Sequence, residues 1–184
     1  MTRESARQIV MTVYVLLLVK DIPMSKRILV LYGTESGNAQ YCAEILGDEL
    51  EKSGLNHDVV DMSDYNPEEL LNEAMLIIIT STHGNGDAPA NAEGMLDYLQ
   101  TTEMDLSHLK FAVCALGDSS FFYFAQCGKD FDEILGKRKG QRLMDRVDCD
   151  ADFDDEYDVF LEKIVAYLQS QASWLERDIS SSWA

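Results

Sequence analysis

The chain has 184 residues, 33 of them acidic and 15 basic, for a formal net charge of −18 with 46% hydrophobic residues. That composition builds one domain around one sizeable core, excludes a disordered chain, and leaves no room for a second catalytic domain. The negative excess argues against nucleic acid and anionic membranes, which are recognised by clustered Lys and Arg, and in favour of a basic protein partner.

Residues 1–23 read as an amino-terminal extension. Its apolar run, Ile9 to Val19, follows Arg3 and Arg7 in the manner of a signal peptide, yet no small-x-small cleavage site comes after it. As a helix the run would span about 16 Å, roughly half the hydrocarbon thickness, so no spanning membrane segment is expected. Two readings stay open: an adventitious extension ahead of a start at Met24, or an apolar element that docks on the body.

From Arg27 onward, short apolar runs alternate with helical patterns, the signature of a parallel sheet covered on both faces. The predicted strands are Ile28 to Tyr32, Asp58 to Asp61, Met75 to Thr80, Phe111 to Leu116 and a weak fifth near Gln141 to Val147. Those at 75–80 and 111–116 are continuously apolar, as central strands buried on both faces should be. Ala39, Cys42, Ala43, Leu46 and Leu50 share one face of the first helix. A short helix over Pro67 to Glu73 opens on its proline. Helices over Asn91 to Gln100 and Ala125 to Arg138 follow. The last helix carries Phe153, Tyr157, Phe160, Leu161, Ile164 and Leu168 on one stripe, and residues 171–184 form a polar tail. Cys42, Cys114, Cys127 and Cys149 have neither C-x-x-C spacing nor a nearby His, so they read as reduced, packed thiols in a cytoplasmic protein, and no metal is expected.

Ligands of such sheets bind outside the carboxyl ends of the strands. Three loops leave those ends. Thr34-Glu35-Ser36-Gly37-Asn38-Ala39 runs straight into a helix and offers hydroxyls, a glycine and free N–H groups without Lys or Arg, which suits a phosphate monoester held by dipoles. An ordinary N-cap would use the same residues. Ser81-Thr82-His83-Gly84-Asn85-Gly86, followed by Asp87-Ala88-Pro89, can present backbone groups to the edge of a flat heterocycle, or serve as a simple exposed turn. Leu116-Gly117-Asp118-Ser119-Ser120-Phe121-Phe122-Tyr123-Phe124 sets four aromatics in a row, which one core face cannot absorb; an aromatic wall against a planar ligand is the functional reading, packing beneath the loop the structural one. A phosphate at one end and a flat ring at the other describe FMN.

T-E-S-G-N-A, S-T-H-G-N-G-D-A-P and L-G-D-S-S-F-F-Y-F, in that order, resemble the flavodoxin-like FMN domain of diflavin reductases, with the run G-K-D-F-D-E-I-L and R-L-M-D-R-V-D-C-D most like the sulfite reductase flavoprotein branch. The resemblance covers about Lys26 to Leu168, within a domain set at residues 24–170. It implies an α/β three-layer sandwich with a five-stranded parallel sheet of order 2-1-3-4-5 and helices on both faces. It also implies that Thr34 to Ala39 form the phosphate loop, that Ser81 to Gly86 cover one flavin face, and that Leu116, Gly117, Asp118, Phe121, Tyr123 and Phe124 cover the other. Phe121 stands where the family commonly has Tyr, and His83 where P450-reductase-like domains have Tyr. Asp150, beside Cys149, falls near the position of a further carboxylate close to the flavin.

The resemblance further implies an electron carrier. Diflavin reductases continue into a domain for FAD and NADPH, whereas this sequence stops and has no G-x-G-x-x-G, so electrons are expected from a separate NAD(P)H-dependent flavin reductase. Eight acids between Asp145 and Asp158, against Arg146 alone, suit either a solvated helix start or a docking patch for a basic redox protein. The competing function is a self-sufficient FMN-dependent NAD(P)H:quinone reductase.

Overall fold

A computed structural model describes residues 25–171; the expectations for residues 1–23 and for the tail beyond Gln171 lie outside the described residues. The described residues form six strand segments, β1 (Ser25–Gly33), β2 (His57–Asp61), β3 (Glu73–Ser81), β4 (Lys110–Leu116), β5 (Gln141–Arg142) and β6 (Val147–Cys149), four α-helices, α1 (Asn38–Lys52), α2 (Ala90–Thr101), α3 (Gln126–Lys137) and α4 (Asp154–Ser170), and, between β2 and β3, two 3-10 helices, Met62–Asp64 and Pro67–Asn72. Every strand pairing is parallel, in the order β2-β1-β3-β4-β5, and β6 also pairs with β4.

The expected fifth strand exists, but in two pieces. Gln141 and Arg142 pair with Lys110 and Phe111, and Val147 to Cys149 pair with Cys114 to Leu116. Between them the chain leaves the ladder where Arg142 and Arg146 converge on Asp132 of α3, at 2.7 and 3.3 Å. A pair of side-chain contacts to a helix thus replaces the middle of the edge strand.

Strand side chains alternate between the two faces, and the apolar sets separate accordingly. Ile28, Val30, Ile77 and Cys114 share a core with Ala39, Cys42 and Leu46 of α1 and with Phe160 and Ile164 of α4. Leu29, Leu31, Ile78 and Val113 face Leu96 and Leu99 of α2 and Phe131 and Leu135 of α3. These side chains are almost completely buried, the Val, Leu, Ile and Phe among them each worth about 1.5–3 kcal/mol of transfer free energy. The Tyr157 hydroxyl donates to the Cys42 carbonyl, which locks α4 onto α1. At the amino-terminal end of the sheet the buried Glu73 carboxylate accepts from Arg27 at 2.6 Å and from the Tyr65 hydroxyl at 3.2 Å, so its charge is paired rather than stranded. Among the described residues no helix is long and apolar enough to cross a membrane.

The three-layer architecture matches the expected one, and it leaves the β1–α1, β3–α2 and β4–α3 connections together at the carboxyl edge of the sheet.

Candidate functional site at the carboxyl edge of the sheet

Those three connections enclose one cleft of about 270 Å³, lined by Ser36 and Asn38 from the first, Ser81, Thr82 and Gly84 from the second, and Leu116, Gly117, Asp118, Phe121, Tyr123 and Phe124 from the third. Asp150 joins them from the chain after β6.

In the first loop, Gly37 occupies the position before α1 with φ +90°, a left-handed conformation that glycine adopts without strain. No side chain caps the helix there, so the N–H groups of its first turn stay available to an anion. Thr34 shapes the turn instead of lining the cleft: its Oγ1 accepts the Gly37 N–H at 2.9 Å, and its own N–H is accepted by Asn91 Oδ1 at 2.9 Å. Asn91 in turn donates to Asp61 at 2.9 Å. Glu35 also turns to the scaffold, accepting the Ala90 N–H at 2.8 Å at the start of α2. Ala39 is fully buried in the core beneath α1. The expected phosphate loop is therefore divided, with Ser36 and Asn38 in the cleft and Thr34, Glu35 and Ala39 supporting it.

The second loop is a tight turn. His83 and Asp87 exchange backbone hydrogen bonds at 2.8 Å in both directions, and Gly84 and Gly86 have φ +53° and +108°. Gly84 lines the cleft, whereas His83 and Asn85 are exposed outside its lining, so the turn meets the cleft with backbone and not with the imidazole. Gly86 is where the second loop touches the third: a Cβ there would come within 2.7 Å of Tyr123 Cβ. Thr82 reaches the other way, its Oγ1 accepting the Cys127 N–H at 3.2 Å in the first turn of α3.

The third loop carries the aromatics. Phe121, Tyr123 and Phe124 line the cleft; Phe122 does not. Gly117 permits the turn, because a Cβ there would lie 2.7 Å from the Ala125 backbone nitrogen. Asp118 accepts the Ser120 N–H at 2.8 Å, and Asp150 accepts the Ser119 N–H at 2.8 Å. Hydrogen bonds from the Ser119 hydroxyl, the Ser119 N–H and the Ala151 N–H hold the Asp150 carboxyl below its ordinary range. Ala125, Ala151 and Phe153 complete the lining. Sequence reasoning misses all three; it puts Phe153 on the last helix's apolar stripe, and its place three residues after Asp150 is the available signal.

The four cysteines are free and buried. Burial pushes the Cys42 and Cys127 thiols up to about 12, and the adjacent Cys149 together with burial raises Cys114 well above its usual value. All four pack within the core.

A parallel sheet of this order, with a cleft where strand order reverses, defines a flavodoxin-type α/β protein. Solved structures agree on the fold. The described chain superposes on oxidised flavodoxin 2 from Bacillus cereus with TM-score 0.67 at 24% identity, covering 78% of this chain and 99% of that one. The flavodoxin of Streptococcus pneumonia gives 0.69 at 21% identity, covering 78% and 98%.

The chain belongs to the flavodoxin family, whose model matches residues 30–162, and FMN is that family's cofactor. More particularly, it is 43% identical over 143 residues to the sulfite reductase [NADPH] flavoprotein alpha-component of Bacillus subtilis, covering 77% of this chain and 24% of that protein. It is 36% identical over 157 residues to the protein of the same name from Salmonella typhimurium, covering 84% and 26%. The chain thus spans about a quarter of the length of these curated relatives.

The cleft fits FMN on its own chemistry. An uncapped helix start with hydroxyl and amide side chains at one end suits a phosphate, and three aromatic rings facing a backbone turn at the other suit a flat heterocycle.

Proposed function

We propose that this chain is an FMN-carrying electron-transfer module. In this reading it takes electrons from an NAD(P)H-dependent flavin reductase and delivers them singly to a basic redox protein in the cytoplasm, in chemistry related to sulfite reduction. The observation that carries the proposal is the convergence of three strand-end loops on one cleft with an anion-seeking end and an aromatic end. The relatives named as NADPH-linked sulfite reductase flavoproteins support the choice of donor and acceptor chemistry.

FMN, when bound, supplies reversible one-electron chemistry at its ring. The protein's part is binding and tuning. Ser36, Asn38 and the open N–H groups of α1 would hold the phosphate, with no cationic side chain among the cleft-lining residues. Phe121, Tyr123 and Phe124 would cover the ring and keep water off it, while Gly84 brings backbone to its edge. Asp118 and Asp150 oppose the build-up of negative charge in the cleft, which lowers the potential at which the last electron is accepted.

The test is direct. Purified full chain titrated with FMN should bind one equivalent, show a perturbed visible flavin spectrum, and release FMN on denaturation. A chain that takes up no FMN refutes the proposal. Steady-state NADPH oxidation by the loaded chain alone would favour the quinone reductase instead.

A further inference from the structure

Of the three neighbouring aromatics at the cleft mouth, Phe122 is 93% exposed, compared with 56% for Phe121 and 48% for Tyr123. Phe121 and Tyr123 line the cleft and Phe122 points elsewhere. It is nonetheless braced. Its ring meets Tyr123 edge to face, centroids 4.9 Å apart at 85°, and Tyr123 is seated against Gly86 of the neighbouring loop. Single exposed apolar residues are ordinary, but adjacent ones presented together on an ordered loop form a patch of the kind that marks a contact surface.

The charge around the patch selects its occupant. Asp118 and Asp150 line the adjoining cleft, Asp87 is exposed on the second loop, and Asp152, Asp154 and Asp155 are exposed just beyond Ala151 and Phe153. Lys129, close in sequence, is occupied with Phe124, donating to its carbonyl at 2.5 Å and lying over its ring. A second copy of a chain of charge −18 would be repelled, as would an anionic lipid surface or nucleic acid.

We infer that Phe122 is the apolar anchor of a docking surface for a basic redox protein, entering a socket beside that partner's own redox centre while the carboxylates meet its cationic rim. This rests on the electron-transfer reading and adds to it the residue that makes the contact. Buried aromatic anchors ringed by weaker polar contacts are the usual source of binding energy in such interfaces, and rim charges govern the encounter rate.

Cytochrome c, a basic haem protein, is the probe, and ferricyanide, a small anion that needs no docking surface, is the control. Each transfer takes one electron from the reduced flavin and converts ferric to ferrous iron. Phe122→Ala should raise the cytochrome c Kd, measured by calorimetry at low ionic strength, by about tenfold. It should slow reduction of cytochrome c while FMN content and the ferricyanide rate stay unchanged. Phe122→Leu should lose less. The double variant Asp152→Asn/Asp155→Asn should instead flatten the salt dependence of association.

Wild-type cytochrome c affinity in Phe122→Ala overturns the inference, and so does a parallel loss with ferricyanide, which would place Phe122 in the flavin site. Failure of the wild type to bind FMN refutes the electron-transfer reading, and calorimetry on the unloaded chain then decides the surface by the same tenfold criterion.

Discussion

Asp150, one residue beyond β6, accepts the Ser119 N–H at 2.8 Å on one carboxylate oxygen and the Ser119 hydroxyl on the other, clamping the aromatic loop from across the sheet edge. Its place in the cleft is therefore inseparable from its place in the loop. Since these hydrogen bonds depress its pKa, the clamp is intact above the unfolded carboxyl value of about 4 and is lost as pH falls through the lower folded value. Asp150→Asn should weaken FMN binding several-fold at neutral pH and remove an acid-side decline expected in the wild type below about pH 4, read by flavin fluorescence across a pH series.

Gly86 and Gly37 both have positive φ, but their surroundings differ. A Cβ at Gly86 meets Tyr123 Cβ at 2.7 Å, whereas one at Gly37 meets nothing within 4 Å. Gly37→Ala should cost only the left-handed backbone, about 1–2 kcal/mol. Gly86→Ala adds a clash with the base of an aromatic side chain and should cost about 3 kcal/mol, while also displacing the aromatic loop. Urea unfolding of the two variants, with FMN titration alongside, gives the comparison; equal losses would show that the Tyr123 contact is soft.

Asn91 sits on α2 yet shapes the first loop through Thr34, with Asp61 holding its amide group in place. Asn91→Ala should cost about 1 kcal/mol of stability. Its more specific consequence lies at the phosphate end: affinity for FMN falls while affinity for riboflavin, which has no phosphate, is unchanged. Parallel titrations with both flavins check this, and an equal loss for both would assign Asn91 to the ring end.

With Cys42, Cys114, Cys127 and Cys149 all buried and three of these thiols raised by burial or by a neighbouring thiol, a thiol reagent at pH 8 should label none in the folded chain and four after denaturation. Labelling of one thiol in the native state would mark an opening of the core that the packing does not provide.

The element order was legible because it is written locally. Met75 to Ile79 and Phe111 to Leu116 are apolar at every position, as only doubly covered strands are, and the helices repeat their apolar residues on one face. The three loops were legible for a related reason: glycines, hydroxyls and consecutive aromatics at strand ends have no use in a regular element.

What the sequence by itself determined was therefore the alternating sheet and helices and the three loops that their connectivity delivers to one edge. Only the tertiary structure decided the division of labour within those loops. Glu35 turned to the start of α2 and His83 to its own turn, Thr82 stayed in the cleft wall with its hydroxyl tied to α3, Ser36 and Gly84 stayed in the cleft, and Phe122 faced outward. The physical reason is that a polar side chain commits to whichever partner the fold brings within hydrogen-bond reach, and those partners, 45 to 55 residues away for Thr82 and Glu35, leave no trace in the local pattern.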